Sequence, residues 1–232
     1  MEKATRLATY FLFALTAFFP VGTALTAVFE YKITLRYIPV FVIFLAVLSV
    51  GTVILHLVNK PQKMFALTAV LALVSVVNAL LLIFAFNTPP VIIWNLLSAS
   101  CCCILPVLHG KRLGVKITAS VLSVLMLIPC CYCGFIFLIF GNIGQNTVVQ
   151  AAVSPDGKYI AEVINSDQGA LGGDTLVQVR ATHSFNVGIF EISKKPQRVY
   201  MGEWGEFENI KIEWKNETGL LINGHQYIAE KQ

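Results

Sequence analysis

Two groups of cysteines carry the most conspicuous chemistry in this chain. Cys130 and Cys133 form a Cys-x-x-Cys, with Cys131 between them, on one apolar segment; Cys101, Cys102 and Cys103 stand in a row on the segment before it. Thiolates at such spacings can hold zinc or cycle as a redox pair. Depth argues against one joint metal site. Counted from the basic ends of their spans at about 1.5 Å per residue, Cys101–Cys103 lie roughly 8–11 Å in and Cys130–Cys133 roughly 25 Å in. Four ligands of one zinc must each lie within about 2.3 Å of it. The expectation is therefore small apolar packing residues and no metal.

A second candidate lies nearer the C-terminus. Ser166 to Thr175 reads SDQGALGGDT, too long and too glycine-rich for a minimal hairpin. Gly169, Gly172 and Gly173 permit close backbone approach of a partner, and Asp167 and Asp174 bracket them with negative charge. The spacing is not that of an EF-hand, since no bidentate glutamate follows. His225 lies beyond an Asn-Gly turn, where solvent exposure is the default. These six residues form the candidate binding set. A nucleophile elbow, a zinc-protease helix and a phosphate-binding Gly-Lys loop are all missing from the sequence, so no catalytic residue and no cofactor is expected.

The apolar segments also carry polar residues: His56, Asn78, Asn95, Ser98 and Ser100. No Asp or Glu lies deep in any of them, which weakens an ion-coupled transporter reading. Asn78 and Asn95 are expected to hydrogen-bond between helices, and His56 to sit near the cytoplasmic interface.

The elements that must position these groups follow from composition. Of 232 residues 56% are hydrophobic and only 13% charged, where an ordinary soluble domain has about 25% charged. Residues 1–140 hold nine Lys/Arg against two Asp/Glu, a net of +7, and residues 141–232 hold eight against eleven, a net of −3. The basic balance therefore belongs to the apolar part and gives no reason to expect nucleic acid. Five stretches, at about 7–29, 37–58, 64–86, 91–108 and 114–140, are long enough to cross a hydrocarbon core. A cleaved signal peptide is the competing reading of the first, because Pro20 and Gly22 break its apolar run. Asn87-Thr88-Pro89-Pro90 is a tight turn opening the fourth, with Pro90 at the helical start.

Short loops force neighbouring spans antiparallel, and basic residues in them set orientation. With the N-terminus inside, Lys3, Arg6, Lys60, Lys63, Lys111, Arg112 and Lys116 are cytoplasmic, against Lys32 and Arg36 outside. The fifth span then exits outward. The C-terminal portion, from about residue 145 to 232, is placed outside the cytoplasm.

From Thr147 the pattern alternates with period two between turn signals, the signature of strands. The expected strands are Val148–Val153, Tyr159–Asn165, Thr175–Ala181, Val187–Glu191, Arg198–Met201, Ile210–Trp214, Gly219–Ile222 and Tyr227–Ala229. Ser154-Pro155-Asp156-Gly157 is a type I turn and Asn223-Gly224 a hairpin turn. The expected core draws on Tyr159, Ile160, Val163, Val177, Val179, Ile189, Tyr200, Ile210, Ile212, Trp214, Leu221 and Ile222. The fold class is thus a polytopic α-helical membrane domain of five helices, residues 1–140, followed by a small mostly-β domain without disulfides.

The strings SPDGKYIAEVINSDQGALGGDT (154–175), RVYMGEW (198–204), IKIEW (210–214) and LLINGH (220–225) resemble an uncharacterised family of bacterial membrane-anchored proteins. The resemblance implies an extracytoplasmic β-domain in a bacterial envelope and carries no catalytic residues; it does not cover the five spans. Two function classes stay open. One is a non-enzymatic envelope protein whose outer domain is an interaction or sensory module, with the lipid bilayer and another membrane or envelope protein as partners. The other is a membrane-embedded enzyme or carrier for a lipid or small molecule, working in a cavity between the helices.

Overall fold

The computed structural model describes residues 2–59, 61, 63–86, 88–141, 146–169 and 172–228. The chain forms two compact units, Met1–Leu25 with Tyr37–Gly141, and Thr26–Arg36 with Asn142–Gln232.

The first unit is helical. Helices α1 (Glu2–Val28), α2 (Ile38–Asn59), α3 (Phe65–Ala85), α4 (Pro89–His109) and α5 (Leu113–Phe140) are each long and apolar enough to cross a membrane. Helix α1 covers the expected first span and runs unbroken through Pro20 and Gly22, where the competing signal-peptide reading puts a break. A proline is tolerated in a membrane helix because neighbouring groups re-satisfy the freed backbone carbonyl. Thr88 is the N-cap of α4, and Pro89 and Pro90 occupy its first turn, where a missing N–H costs nothing.

Helix α4 is the hub, packed against α2, α3 and α5. Its middle reads Ser98-Ala99-Ser100-Cys101-Cys102-Cys103, small residues that let three neighbours approach closely. The peripheral helix α5 buries only Ala119, Cys130 and Gly134. A Cβ at Gly134 would lie 3.0 Å from Leu96 Cδ1 and 3.1 Å from Ile92 Cγ2, so the glycine sets how near α5 comes to α4.

The second unit is built of strands. An antiparallel sheet runs in the order β2 (Asn146–Val153), β3 (Tyr159–Asp167), β4 (Gly173–Ala181), β7 (Gln197–Glu203). A second consists of β8 (Ile212–Trp214), β9 (Gly219–Ile222) and β10 (His225–Ile228), with β9 in the middle. Their apolar faces share one core of Ala161, Val163, Val177, Val179, Ile210, Ile212, Leu220 and Ile222, flanked by Tyr159, Tyr200 and Trp214. Most of the expected core is there. Strand alternation, however, puts Leu220 and Ile222 on the inner face of β9, so Leu220 replaces Leu221, and Ala161 takes the place expected of Ile160.

Both expected turns form. The Gly157 N–H bonds to Ser154 O at 2.9 Å in the β2–β3 turn, and Asn223 and Gly224 adopt φ of 50° and 83° between β9 and β10. Both positive values belong to the type I′ hairpin, whose twist matches the flanking strands.

The expected strand Val187–Glu191 is interrupted: Gly188, at φ 61°, and Ile189, exposed and not in the core, form the turn that joins β5 (Ser184–Val187) to β6 (Phe190–Lys194). The larger surprise is β1 (Tyr31–Leu35), which comes from the short connection between α1 and α2 and pairs antiparallel with β6 from Tyr31↔Lys194 to Leu35↔Phe190. It completes a three-stranded sheet, β1-β6-β5, with Ile33 and Leu35 buried. The sequence by itself shows Lys32 and Arg36 only as part of an outer connection, because five residues flanked by two apolar spans offer too short a window for period two to register.

Candidate functional site

The helical unit gathers a chain of buried polar side chains at one end. Helices α1, α2 and α4 bring the N-terminal turns of the first together with the C-terminal turns of the other two. Thr9 Oγ1 donates to Thr5 O at 2.8 Å, the common way a helical threonine satisfies its hydroxyl. That hydroxyl has one proton, so it accepts from His56 Nε2, 2.8 Å away. A neutral His56 with its proton on Nε2 presents Nδ1 as an acceptor, and His109 Nε2 lies 2.6 Å from it. His109 therefore donates, and both neutral rings carry their proton on Nε2. Asn59 Nδ2 donates to Thr5 Oγ1 at 2.8 Å and closes the network. Thr5, Thr9 and His56 are buried and His109 half-buried.

Sequence reasoning placed His56 near the interface but did not join it to His109. The two are 53 positions apart, and no local spacing announces such a pair. Hydrogen-bonded hydroxyls and imidazoles can relay a proton. They also serve as interhelical glue, and the network pins α1 to α2 and α2 to α4.

Deeper in the unit the polar groups are pairwise. Ser49 Oγ donates to Leu45 O at 2.7 Å and so accepts from Ser98 Oγ at 2.8 Å, an α2–α4 bond. Asn95 Nδ2 donates to Ala79 O at 3.0 Å, the expected interhelical contact. Asn78 differs: its Oδ1 is buried with no hydrogen-bond partner among the described residues. The thiols of Cys101, Cys102, Cys103 and Cys130 are buried, Cys131 is exposed and Cys133 half-buried. Cys103 and Cys130 share an apolar cluster with Ala72, Val76, Ala79 and Ala99, so packing brings together two segments that helical depth alone would separate. Among the described residues no three His, Cys, Asp or Glu side chains are placed to hold a metal.

In the β-unit, the candidate loop is ordered by its own side chains. Asp167 Oδ1 accepts from Gly169 N–H at 2.7 Å, and the backbone N–H groups of Gln168 and Gly172 bond to Gly172 O and Gly169 O at 2.7 and 3.1 Å. Asp174 Oδ2 accepts from Gln168 Nε2 at 2.9 Å, and Asp174 is the register partner of Glu203 on β7, so two acidic residues are neighbours on adjacent strands. A Cβ at Gly173 would lie 2.6 Å from Trp204 Cδ1; the indole, 57% exposed, lies on that glycine. Ala170 and Leu171, between the glycines, lie outside the described residues. His225 is exposed at the start of β10, opposite Ile222, and belongs to a different sheet from the loop. Of the six expected binding residues the fold thus groups five around one hairpin and sets His225 apart.

Glu206, which sequence reasoning passed over, links the two sheets of the core. Its Oε1 accepts from Tyr200 OH at 2.6 Å and from Asn223 Nδ2 at 3.2 Å, and its carboxylate lies where a side chain at residue 202 would otherwise go. The phenol proton held by Glu206 pushes the Tyr200 pKa up to about 12. The only sequence trace of this arrangement is the glycine at 202. No family model, no curated protein and no solved structure matches the chain.

Proposed function

We propose that the chain is a non-enzymatic integral membrane protein of the bacterial envelope, with its N-terminus cytoplasmic and its β-domain outside as an interaction or sensory module. The observation that carries this reading is β1. A strand drawn from the α1–α2 connection completes a sheet of the β-domain, so the domain joins the helices through three chain crossings: α1 into β1, β1 into α2, and α5 into β2. A domain that merely capped the membrane would need one. Binding that shifts the β1-β6-β5 sheet acts on α1 and α2 together. The pairing of residues 31–35 with 190–194 supports a layout in which five spans leave both on one side of the membrane, and the seven-to-two basic bias favours the outer side.

The exposed indole of Trp204 over Gly173, beside the acidic register partners Asp174 and Glu203, is the surface we assign to recognition. The competing reading, an enzyme or carrier within the helices, draws on the Thr5–Thr9–His56–His109 chain. A photoreactive amino acid placed at position 204, and separately at position 109, in the full chain in its native membrane separates the two. A discrete covalent adduct at 204 that weakens with Asp174→Asn supports the module. A small-molecule adduct at 109 with none at 204 overturns it.

A further inference from the structure

Between Tyr37 and Phe140 the sequence contains no Asp and no Glu, yet it carries Lys60, Lys63, Lys111, Arg112 and Lys116. All five fall in the two connections, α2–α3 and α4–α5, or in the first turn of α5. Among the described residues of the helical unit, the only carboxylate side chain at this end is Glu2, and it is held by Arg6 at 2.7 Å. The helical unit thus leaves these basic side chains without counter-charge of its own among the described residues.

The structure gives that cluster a shape. An open-sided groove of about 530 Å³ runs between the two connections, with Lys63, His109, Lys111 and Arg112 along it. A second groove of about 460 Å³ continues from it along α5, past Ala119 to Leu122. The two share Phe65, Arg112 and Val115, so the basic end passes directly into an apolar channel. From Val115 to Leu122 is seven residues of helix, about 10 Å of depth. Lys111 and Arg112 also immediately precede α5, whose first N–H groups lack helical partners and favour an anion. Their place in the fold is fixed by close packing: a Cβ at Gly110 would lie 2.7 Å from Lys116 Cγ.

We propose that this composite groove is a binding site for an anionic phospholipid of the adjoining leaflet, its phosphate held by Lys63, Lys111 and Arg112 and one acyl chain lying against Phe65, Val115 and Leu122. A free phosphate or nucleotide would explain the basic end alone. The apolar continuation, open to the side of a membrane helix that buries only Ala119 in this part of its length, is what a lipid requires. This site is independent of the role assigned to the β-domain.

Native mass spectrometry of the delipidated full chain, titrated with phosphatidylglycerol or phosphatidylcholine, tests the site. Phosphatidylglycerol should bind in preference, and Lys63→Gln/Lys111→Gln/Arg112→Gln should weaken it by at least about tenfold while Lys32→Gln/Arg36→Gln leaves it unchanged. Val115→Trp, which keeps every charge, should also lower phosphatidylglycerol binding by obstructing the channel, and it stands in if the triple variant does not fold. Equal binding of the two lipids, loss in the Lys32/Arg36 control as large as in the triple variant, or full binding to Val115→Trp would each overturn the proposal. Displacement of the lipid by millimolar inorganic phosphate would overturn it in favour of a soluble anion.

Discussion

His56 Nδ1 and His109 Nε2 stand 2.6 Å apart with their rings edge to face, the last turns of α2 and α4 joined by one hydrogen bond. Two imidazolium ions cannot occupy that spacing, and each neutral ring needs the other's complementary nitrogen. Replacing His56 by Leu leaves Thr9 without its donor and His109 without its acceptor. In detergent the full chain should lose about 0.5–2 kcal/mol, the range for interhelical hydrogen bonds in membranes. His109→Leu should cost no more once His56→Leu is present, and a double-mutant cycle by thermal unfolding reads that coupling. Fully additive losses would show that the pair does not act as a unit.

Cysteines in place of Lys32 and Ser193, directly opposite in the β1–β6 register, should form a disulfide in a background lacking the six native cysteines. Opposed antiparallel residues have Cα atoms about 4.5–5.5 Å apart, within bridging range. Oxidation should give a compact, reductant-sensitive band on electrophoresis. A one-residue displacement, Lys32→Cys with Ile192→Cys, should bridge poorly, because neighbouring side chains point to opposite faces.

An excised fragment of residues 146–228 should fold cooperatively with a β-type circular dichroism spectrum, since every residue of the two-sheet core lies inside it. Its β5–β6 hairpin should exchange amide hydrogens much faster than in the full chain. Without β1 and the buried Ile33 and Leu35 it is a two-stranded hairpin, marginal by itself. Equal protection of residues 184–194 in fragment and full chain would show that β1 adds nothing.

In the β2–β3 turn, Ser154 Oγ donates to Asp156 Oδ1 at 2.7 Å, and this bond, with support from Lys158, holds the carboxyl down at about 2. A folded pKa depressed below the ordinary carboxylate value stabilises the fold above about pH 4 and loses that contribution as pH falls toward 2. Tyr200 works in the opposite direction. Raised to about 12 by Glu206, its neutral phenol stabilises the fold fully below about pH 10 and loses the contribution as pH rises through 12. In the fragment, Asp156→Asn should flatten the acid limb of the stability profile, and Tyr200→Phe the alkaline limb. A Tyr200→Phe variant that kept the wild-type alkaline limb would refute the second assignment.

Asp167 and Asp174 separate folding from recognition in one loop. Asp167→Asn keeps an oxygen to accept from Gly169 N–H, and Asp174→Asn removes one charge facing Glu203, so the double variant should stay within about 0.5 kcal/mol of wild type in urea unfolding. Asp167→Ala should cost about 0.5–1.5 kcal/mol by stripping the turn of its acceptor. The double Asn variant is the one to carry into partner assays.

The five apolar helices, the basic ends and the strand texture after Thr147 were legible in the sequence because each rests on a local rule. Span length, charge count and alternation all act within windows of a few to about twenty residues. So were the Ser154–Gly157 and Asn223–Gly224 turns, where a few residues settle the backbone. The candidate loop was legible as a loop, but not its internal order, since Asp167 bonding Gly169 and Gln168 bonding Asp174 depend on how the hairpin closes. Other features needed the tertiary structure: β1 finding β6, His56 meeting His109, Glu206 receiving Tyr200 and Asn223, and the groove joining Lys63 to Arg112. Each is a contact between segments whose individual sequences are compatible with several partners. Only packing of the whole unit selects one, because the cost of ordering distant segments is recovered when all their contacts form together.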